Sequence, residues 1–431
     1  MPASDEPVNE PELTPRGLLI AATCLLGATF VPYVQAITGP LMMLPMIGEF
    51  GWTRTQYAFA TTFMFVFGAA TVLIFGRMAD RFGPRSILLL GAVCGGLTML
   101  LLSRQDVQLW RLYLAYALLG VFGSTGLGYT KIIGTMFTRH RGKALALFGA
   151  ESTVAMAALP LLTNSLNVHL EWRGTYVVYG VIMLALAPVL YLVIRGPGLS
   201  SPLRPPVPAA AAVPAAAAAS APQMPAPEGL TPPEFRRDRI FWLILLSAVL
   251  GGGLNAGLTA HIIAAITDKG FSTTVAAQVL SAATLIGLAG TVAAGFAMDH
   301  FRTARILSAF GLAAALGCLL FALAGAALGG LPLVVAGLAI QRAAMAGLMP
   351  GTTYMLTRFV GMRAFGEAFA MQVVVQGVAM GAAPPLFGMI FDSTGSYMPV
   401  YWIVIGGAVV AAMVYPLLGV YRYRVAGGRK G

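Results

Sequence analysis

Long apolar runs alternate with short polar breaks along the whole chain. Runs of about 20 apolar residues are long enough to cross the hydrocarbon core of a bilayer as helices. Twelve such runs lie near residues 17–46, 53–76, 86–103, 109–136, 144–166, 175–195, 240–266, 273–297, 304–326, 331–357, 366–391 and 398–420. Because they are continuously apolar and do not alternate, they predict membrane-spanning helices and not the strands of a β-barrel. The first run contains Pro32, Pro40 and Pro45, which predicts a kink.

A short charged signature recurs in the two halves of the chain. Residues 76–85 read G-R-M-A-D-R-F-G-P-R, and residues 295–305 read G-F-A-M-D-H-F-R-T-A-R, a weaker copy. Asp80 and Asp299 hold equivalent places in these stretches, 219 residues apart. One register for both copies predicts an all-α membrane protein built from two pseudo-symmetric six-helix bundles.

The composition excludes an ordinary soluble protein. The chain is 58% hydrophobic and 10% charged, against about 25% charged in a typical soluble domain. A net charge of +11 would suggest nucleic acid as the partner of a soluble protein, but here it fits an excess of Lys and Arg in cytoplasmic loops. With both termini cytoplasmic, 20 of the 27 Lys and Arg residues fall on the cytoplasmic side and 5 on the outer side. We therefore predict a multi-pass protein of the cell inner (cytoplasmic) membrane with no nucleic-acid partner.

The same breaks predict the domain organisation. A disordered cytoplasmic tail (1–15) precedes the first bundle (16–195), and a Pro/Ala-rich cytoplasmic linker (196–237) leads to the second bundle (238–421) and a cytoplasmic tail (422–431). The three cysteines lie in apolar segments, which indicates neither a disulfide framework nor a metal site. The sequence contains no phosphate-binding loop, zinc motif or nucleophile elbow, so we expect no cofactor and no enzymatic activity.

The twelve runs, the charged signature and the long central loop resemble the major facilitator superfamily of transporters over residues 16–424. Its G-x-x-x-D-R-x-G-x-R signature is matched at Gly76, Asp80, Arg81, Gly83 and Arg85. The resemblance implies two rocking bundles with a binding site between them. It also implies that these residues, with Asp299 in the second half, act as a conformational latch; the alternative is that the arginines only anchor the topology.

A finer resemblance is carried by four short motifs. They are Gly51-Trp52-Thr53-Arg54, Arg139 and Arg141 before Gly142–Ala144, Trp172-Arg173, and Asp238-x-x-Phe241-Trp242. Together they look like the bacterial monocarboxylate and oxalate/formate porters, which often carry a basic residue in the eighth or eleventh span. Spans 273–297 and 366–391 have none in their middles here.

Three charged residues lie deep within the predicted spans, where each costs at least about 2.5–3.5 kcal/mol and is therefore a functional candidate. Lys131 and Glu151 lie at equal depth on consecutive antiparallel helices, about 12 Å from the cytoplasmic end. They predict an ion pair that is either structural or linked to protons or substrate. Arg342 has no acid at comparable depth, so it is a candidate for binding a carboxylate bidentately. The alternative is an arginine that bonds backbone carbonyls or snorkels to the surface.

His261 lies roughly 10 Å below the outer surface. It is a candidate for proton coupling, although a lone histidine also serves as a hydrogen-bonded packing residue.

We therefore predict a secondary active transporter, a monomer, that moves a small organic anion (a mono- or dicarboxylate) by alternating access, driven by proton symport or anion exchange. The predicted substrate-binding residues are Arg342, Lys131, Gln35, Tyr33, Asn255 and Tyr129. The predicted proton-coupling residues are Glu151 and His261. Two alternatives stay open: a proton-coupled drug exporter of the same fold, which the buried acid Glu151 would serve equally well, and a membrane sensor or scaffold that does not transport.

Overall fold

The computed structural model describes residues 14–32, 34–137, 141–195, 229–301, 303–325, 330–419 and 421–423, apart from the side chains of 141–152 and of Asp299. Almost all of these residues are helical. Most of the predicted tails and of the central linker lie outside the described residues, as does Tyr33.

The first half of the chain crosses the bundle six times. Its helices are α1 (Pro15–Phe30), α2 (Val34–Phe50), α3 (Arg54–Phe82), α4 (Pro84–Ser103), α5 (Leu109–Gly123), α6 (Leu127–Met136) and α7 (Arg141–Val193). α1 and α2 form one crossing that is broken beside Pro32, as predicted, whereas Pro40 and Pro45 are accommodated inside α2. A 3₁₀ turn, Ser124–Gly126, joins α5 to α6 within the fourth crossing.

α7 contains the fifth and sixth crossings. Glu171 interrupts it with a non-helical backbone (φ 59°, ψ 175°), so residues 141–170 and 172–193 form two helical segments. A positive φ is uncommon for a residue with a side chain, and here it lets the chain reverse direction without a loop.

The second half repeats this pattern. A short helix α8 (Pro232–Arg237) precedes α9 (Arg239–Thr267), α10 (Thr273–Phe301), α11 (Ile306–Leu323), α12 (Gly330–Phe359), α13 (Phe365–Thr394) and α14 (Met398–Leu417). The described residues contain eleven helices long and apolar enough to span a membrane. Dividing α7 at Glu171 accounts for the twelve predicted crossings, and the predicted all-helical fold is confirmed.

The end of the predicted linker is ordered as part of the second half. The Thr231 and Glu234 side chains form a capping box that starts α8, and the backbone N–H of Leu230 donates to the carbonyl of Val360 at 2.8 Å. The prolines of this stretch predict a linker from the sequence alone.

The two halves meet along helices that carry small residues. α3 packs against α13, α7 against α10, and α2 against α9. At Gly388 on α13, a Cβ atom would lie 2.7 Å from the backbone N and Cα of Thr55 on α3. Only glycine therefore permits this approach of the two helices, in keeping with close packing at small residues in membrane proteins.

Candidate functional site

Arg342 lies in the middle of α12, and the Nε and Nη2 atoms of its charged guanidinium are buried. It lies about 18 Å along the helix from Gly330, well inside the apolar segment. Its Nη1 donates to Oγ1 of Thr259 on α9 at 2.9 Å. Its Nε and Nη2 are buried and have no hydrogen-bond partner among the described residues. Buried charges are normally paired, so these two nitrogens lack the acceptors that a buried guanidinium usually has.

Asn255 and Gln341 lie beside this arginine and bond to each other. Gln341 Nε2 donates to Asn255 Oδ1 at 3.0 Å, and both residues line a small, mainly apolar cavity with Leu254 and Met345. The side-chain amide oxygen of Gln341, Oε1, is buried without a partner among the described residues. All residues that line this cavity belong to the second half, and Arg342 is not one of them.

Lys131 on α6 donates to Oδ1 of Asp80 near the end of α3. Its partner is thus the acid of the charged signature, whereas the sequence suggested Glu151. Glu151 lies in α7, with its side chain outside the described residues. The Asp80 side chain is 73% exposed, so the ion pair lies at the rim of the bundle. The Asp80 carboxylate neutralises the Lys131 ammonium there.

The other signature residues shape the turn between α3 and α4. Gly83 has φ 82° and ψ 151°, a conformation open almost only to glycine. The guanidinium carbon of Arg85 lies 4.0 Å from the Tyr191 ring centroid, and that of Arg81 lies 5.3 Å from the Phe82 centroid. A Cβ at Gly76 would meet nothing within 4 Å, so this structure shows no steric reason for that glycine.

Both ring nitrogens of His261 on α9 form hydrogen bonds. Its Nε2 is 2.9 Å from the Pro384 carbonyl and its Nδ1 is 2.8 Å from the Tyr397 hydroxyl. Because a carbonyl can only accept, Nε2–H donates to Pro384 and Nδ1 accepts from Tyr397. Burial raises the pKa of the Tyr397 hydroxyl, which keeps its proton available for this bond. The arrangement holds the imidazole in one neutral tautomer.

Gln35 belongs to a buried cluster of tyrosines in the first half. Its Nε2 lies 3.4 Å from the Tyr176 hydroxyl, while the hydroxyls of Tyr57 and Tyr116 lie 2.8 Å apart. Tyr57 also donates to the Gly39 carbonyl at 2.8 Å. The cluster ties α2, α3, α5 and α7 together around a polar centre.

Tyr129 packs elsewhere, on the bare backbone of α1. A Cβ at Gly27 would lie 2.4 Å from the Tyr129 hydroxyl oxygen. Tyr129 is fully buried there and lies two residues from Lys131 on α6.

The two halves are joined by an ion pair at one end of the molecule, which we call the Arg54 end. Arg54, at the start of α3, donates to both carboxylate oxygens of Asp268 at 2.6 and 2.9 Å. Its guanidinium carbon lies 3.7 Å from the Phe391 ring centroid and 5.1 Å from that of Tyr397. The side chain of Arg54 is only 11% exposed, so the contact is largely shielded from solvent.

Asp392 of the second half caps a helix of the first half. Its carboxylate accepts from the backbone N–H groups of Arg54 and Thr55 at 3.2 and 2.9 Å, and from the Thr55 hydroxyl at 2.5 Å. These N–H groups start α3 and lack partners within the helix, so a carboxylate there is favoured by hydrogen bonding and by the helix dipole.

A third contact depends on a proline. Pro385 has no N–H, which leaves the carbonyl of Gly381, one turn earlier on α13, without its helical partner. Thr62 on α3 donates to this carbonyl at 2.6 Å.

Among the described side chains, the hydrogen bonds and ion pairs that cross between the halves all lie toward the Arg54 end. They are those of Arg54, Thr55 and Thr62 and the 3.1 Å bond from Asn164 to Thr274. At the opposite end, which carries Asp80, the hydrogen bonds and ion pairs of the described side chains link residues of the same half. The structure is therefore closed at the Arg54 end. No group of residues suited to a metal ion occurs among the described residues.

The sequence alone does not single out the residues that bond across the halves or the threonine that bonds Arg342. It predicts loops at Asp268 and Asp392, and Thr259 and Thr62 resemble the other threonines of apolar helices. Proline at 385 was the available signal, because it marks a free carbonyl one turn earlier on α13. Nothing in the sequence identifies the threonine that meets it.

Comparison with known proteins identifies the kind of molecule. Residues 24–333 match the model of the Major Facilitator Superfamily. Monocarboxylate transporter 4 of Rattus norvegicus is 26% identical over 87% of this chain and 77% of its own length. The puromycin resistance protein pur8 of Streptomyces alboniger is 37% identical over 31% of this chain and 26% of its own length. The first relatives that the chain matches are covered over less than two fifths of their lengths.

A solved structure supports the same fold. A bacterial homolog of the human lysosomal transporter Spinster, in an inward-facing and unoccupied conformation, superposes with a TM-score of 0.70. The alignment covers 95% of this chain and 96% of that one at 16% identity, so the similarity concerns the fold alone.

Proposed function

The chain belongs to the Major Facilitator Superfamily, and from this membership we propose that it moves a small organic anion, a mono- or dicarboxylate, by alternating access. The family is one of transporters, so the protein is a multi-pass membrane transporter and not an enzyme. The anion is the proposed part.

The proposal is carried by the free donors of Arg342. A guanidinium buried in an apolar helix bundle, with two nitrogens that lack partners among the described residues, is costly unless a ligand supplies the missing acceptors. A carboxylate does so with two parallel charge-assisted hydrogen bonds. The resemblance of nearly the whole chain to a monocarboxylate transporter supports the same substrate class.

Arg342 is the main electrostatic anchor in this proposal, since the Lys131 ammonium already pairs with Asp80. Asn255 stands next to the anchor, and Gln35, Tyr33 and Tyr129 are proposed to line the path from the first half. When the signature pair breaks during rocking, Lys131 becomes a second attraction for the anion.

The charge distribution supports an orientation. The excess of Lys and Arg on the loops at the Asp80 end favours a cytoplasmic position for that end and for both termini. In the inner membrane, the Arg54 end then faces outward and is closed in this state. A proton gradient or exchange against another anion drives transport, with Glu151 as the proposed proton carrier, and one chain completes the path as a monomer.

A drug exporter is the competing function. The similarity to a puromycin resistance protein favours it, and an acid such as Glu151 suits a cationic drug. The two functions differ in the charge of the cargo, and hence in the effect of removing Arg342.

The test is uptake of labelled lactate, benzoate and succinate into proteoliposomes under an imposed pH gradient. Saturable uptake that is lost in Arg342→Gln and kept in Arg104→Gln, a change of an exposed loop arginine, supports the anion transporter. Expulsion of labelled tetraphenylphosphonium, with no uptake of any acid, replaces it with the exporter. In the uptake assay, an opposite gradient of unlabelled acid separates exchange from proton symport.

A further inference from the structure

The donors that Arg342 leaves free belong to one edge of its guanidinium. Nε–H and one N–H of Nη2 point in the same direction, whereas Nη1 lies on the other side of the group. The nitrogen bonded to Thr259 is Nη1, and the buried nitrogens without a partner in the described part of the chain are Nε and Nη2. The side-on edge, which can contact both oxygens of a carboxylate at once, is thus the one presented.

Thr259 is oriented so that it can only accept from Arg342. Its hydroxyl donates to the backbone carbonyl of Asn255 at 2.7 Å, which uses its single proton. The oxygen then offers its lone pairs to Nη1 at 2.9 Å. The Asn255 side chain is itself bonded to Gln341, the neighbour of Arg342 on α12. Two adjacent bonds therefore fix this part of α9 against the arginine.

We infer that Thr259 is a positioning residue, which holds the Arg342 guanidinium so that its Nε–Nη2 edge receives both carboxylate oxygens of the cargo. The inference rests on the proposed function and adds a second residue that determines affinity. Without the threonine hydroxyl, all three guanidinium nitrogens lack partners among the described residues. The guanidinium can then rotate about the Cδ–Nε bond of Arg342. The cargo must then order the guanidinium as it binds, which costs affinity.

The predicted effect is on substrate binding and not on the rate of the conformational cycle. Thr259→Val removes the acceptor but keeps the branched shape, and we expect it to raise KM about two- to tenfold, the size expected when one long side chain must be ordered as the cargo binds. The maximal rate should stay within about twofold, because the guanidinium is equally ordered in the cargo-bound state and in the transition state of the conformational cycle. Thr259→Ser, which restores the hydroxyl, should return KM to the wild-type value.

Thr267→Val is the matched control. Thr267 lies on the same helix and makes the same type of bond, to the Ile263 carbonyl at 2.8 Å, and its hydroxyl makes no bond to Arg342. Its KM should equal that of the wild type.

The experiment measures KM and maximal uptake rate in proteoliposomes, with whichever of labelled lactate, benzoate and succinate the wild-type protein takes up. Thr259→Val is also made in an Arg342→Lys background. Lysine keeps the charge but has no side-on edge, so the valine change should then have no further effect.

Three results overturn the inference: an unchanged KM in Thr259→Val, an equal rise in Thr267→Val, or a full effect of Thr259→Val in the lysine background. If the wild type takes up these acids and Thr259→Val is silent, only the role of Thr259 fails. If the wild type takes up none of them, the proposed function fails and the inference fails with it.

Discussion

The guanidinium of Arg54 and the carboxylate of Asp268 meet through two hydrogen bonds, of 2.6 and 2.9 Å, although the residues lie 214 positions apart in the chain. Each half of the transporter supplies one partner. In the proposed rocking motion the halves separate at this end, so we expect the ion pair only in the closed state shown here. It therefore contributes to the balance between the two orientations of the site.

Asp268→Asn should loosen the Arg54 end. The guanidinium would lose its charged acceptor, with an expected cost to the closed state of about 1–3 kcal/mol. The amides of Arg54 and Thr55 report this directly, since the same closure bonds them to Asp392. Their hydrogen–deuterium exchange, measured in full-length protein in nanodiscs, should become about five- to a hundredfold faster.

The control for this measurement is Asp106→Asn. It breaks the Arg111–Asp106 ion pair, which is also 2.6 Å long but lies within the first half. The exchange of Arg54 and Thr55 should not change in this variant. Equal acceleration in both variants would mean that the Arg54–Asp268 pair has no special part in closure.

Gly388→Ala should hinder closure sterically. The added Cβ would lie 2.7 Å from the backbone of Thr55, and backbone atoms of a packed helix cannot move aside as a flexible side chain can. We expect a loss of about 1–3 kcal/mol in the closed state, seen as a lower unfolding temperature and slower transport. Gly377→Ala on the same helix is the control, because a Cβ there meets nothing within 4 Å. An unaltered Gly388→Ala protein contradicts the close approach of α3 and α13.

The helical fold followed from the sequence because the bilayer imposes a simple rule. Every apolar run of about 20 residues must satisfy its own backbone, and helices do so. The break beside Pro32 follows equally directly, since proline removes an N–H from the helix. The reversal between spans 144–166 and 175–195 was also predicted, but its form without a loop was not, because the positive φ of Glu171 leaves no mark in the sequence.

Partners across the bundle were harder to predict than depth. Lys131 and Glu151 share a depth along their helices, but the rotation of each helix decides which side chains meet. Lys131 pairs with Asp80, and because the Glu151 side chain lies outside the described residues, its pairing with Lys131 stays a prediction. The free edge of Arg342 was anticipated only as the lack of an acid at its depth. Its orientation depends on Thr259, a residue 83 positions away, and no local pattern specifies such a pairing.

A charge reversal tests whether Lys131 serves Asp80 or the cargo. Lys131→Asp and Asp80→Lys should each slow transport, and the double variant should recover most of the rate because the pair is restored with opposite polarity. With Asp80 mostly exposed, we expect a coupling of no more than about 1 kcal/mol. The measurement is a double-mutant cycle on the maximal rate of uptake. If Lys131→Asp instead raises KM, and KM is not restored in the double variant, Lys131 contacts the cargo.

His261 should stabilise the fold without carrying the coupled proton. Its Nε2–H is bonded to the Pro384 carbonyl and its Nδ1 to the Tyr397 hydroxyl, so an added proton would displace the Tyr397 bond. His261→Gln should therefore cost about 1–3 kcal/mol of stability and lower the unfolding temperature, while the pH profile of transport keeps its shape. Glu151→Gln should flatten that profile, and His169→Gln, at an exposed site on α7, should change neither property. A flattened profile in His261→Gln, at an unchanged unfolding temperature, would move the coupled proton from Glu151 to His261.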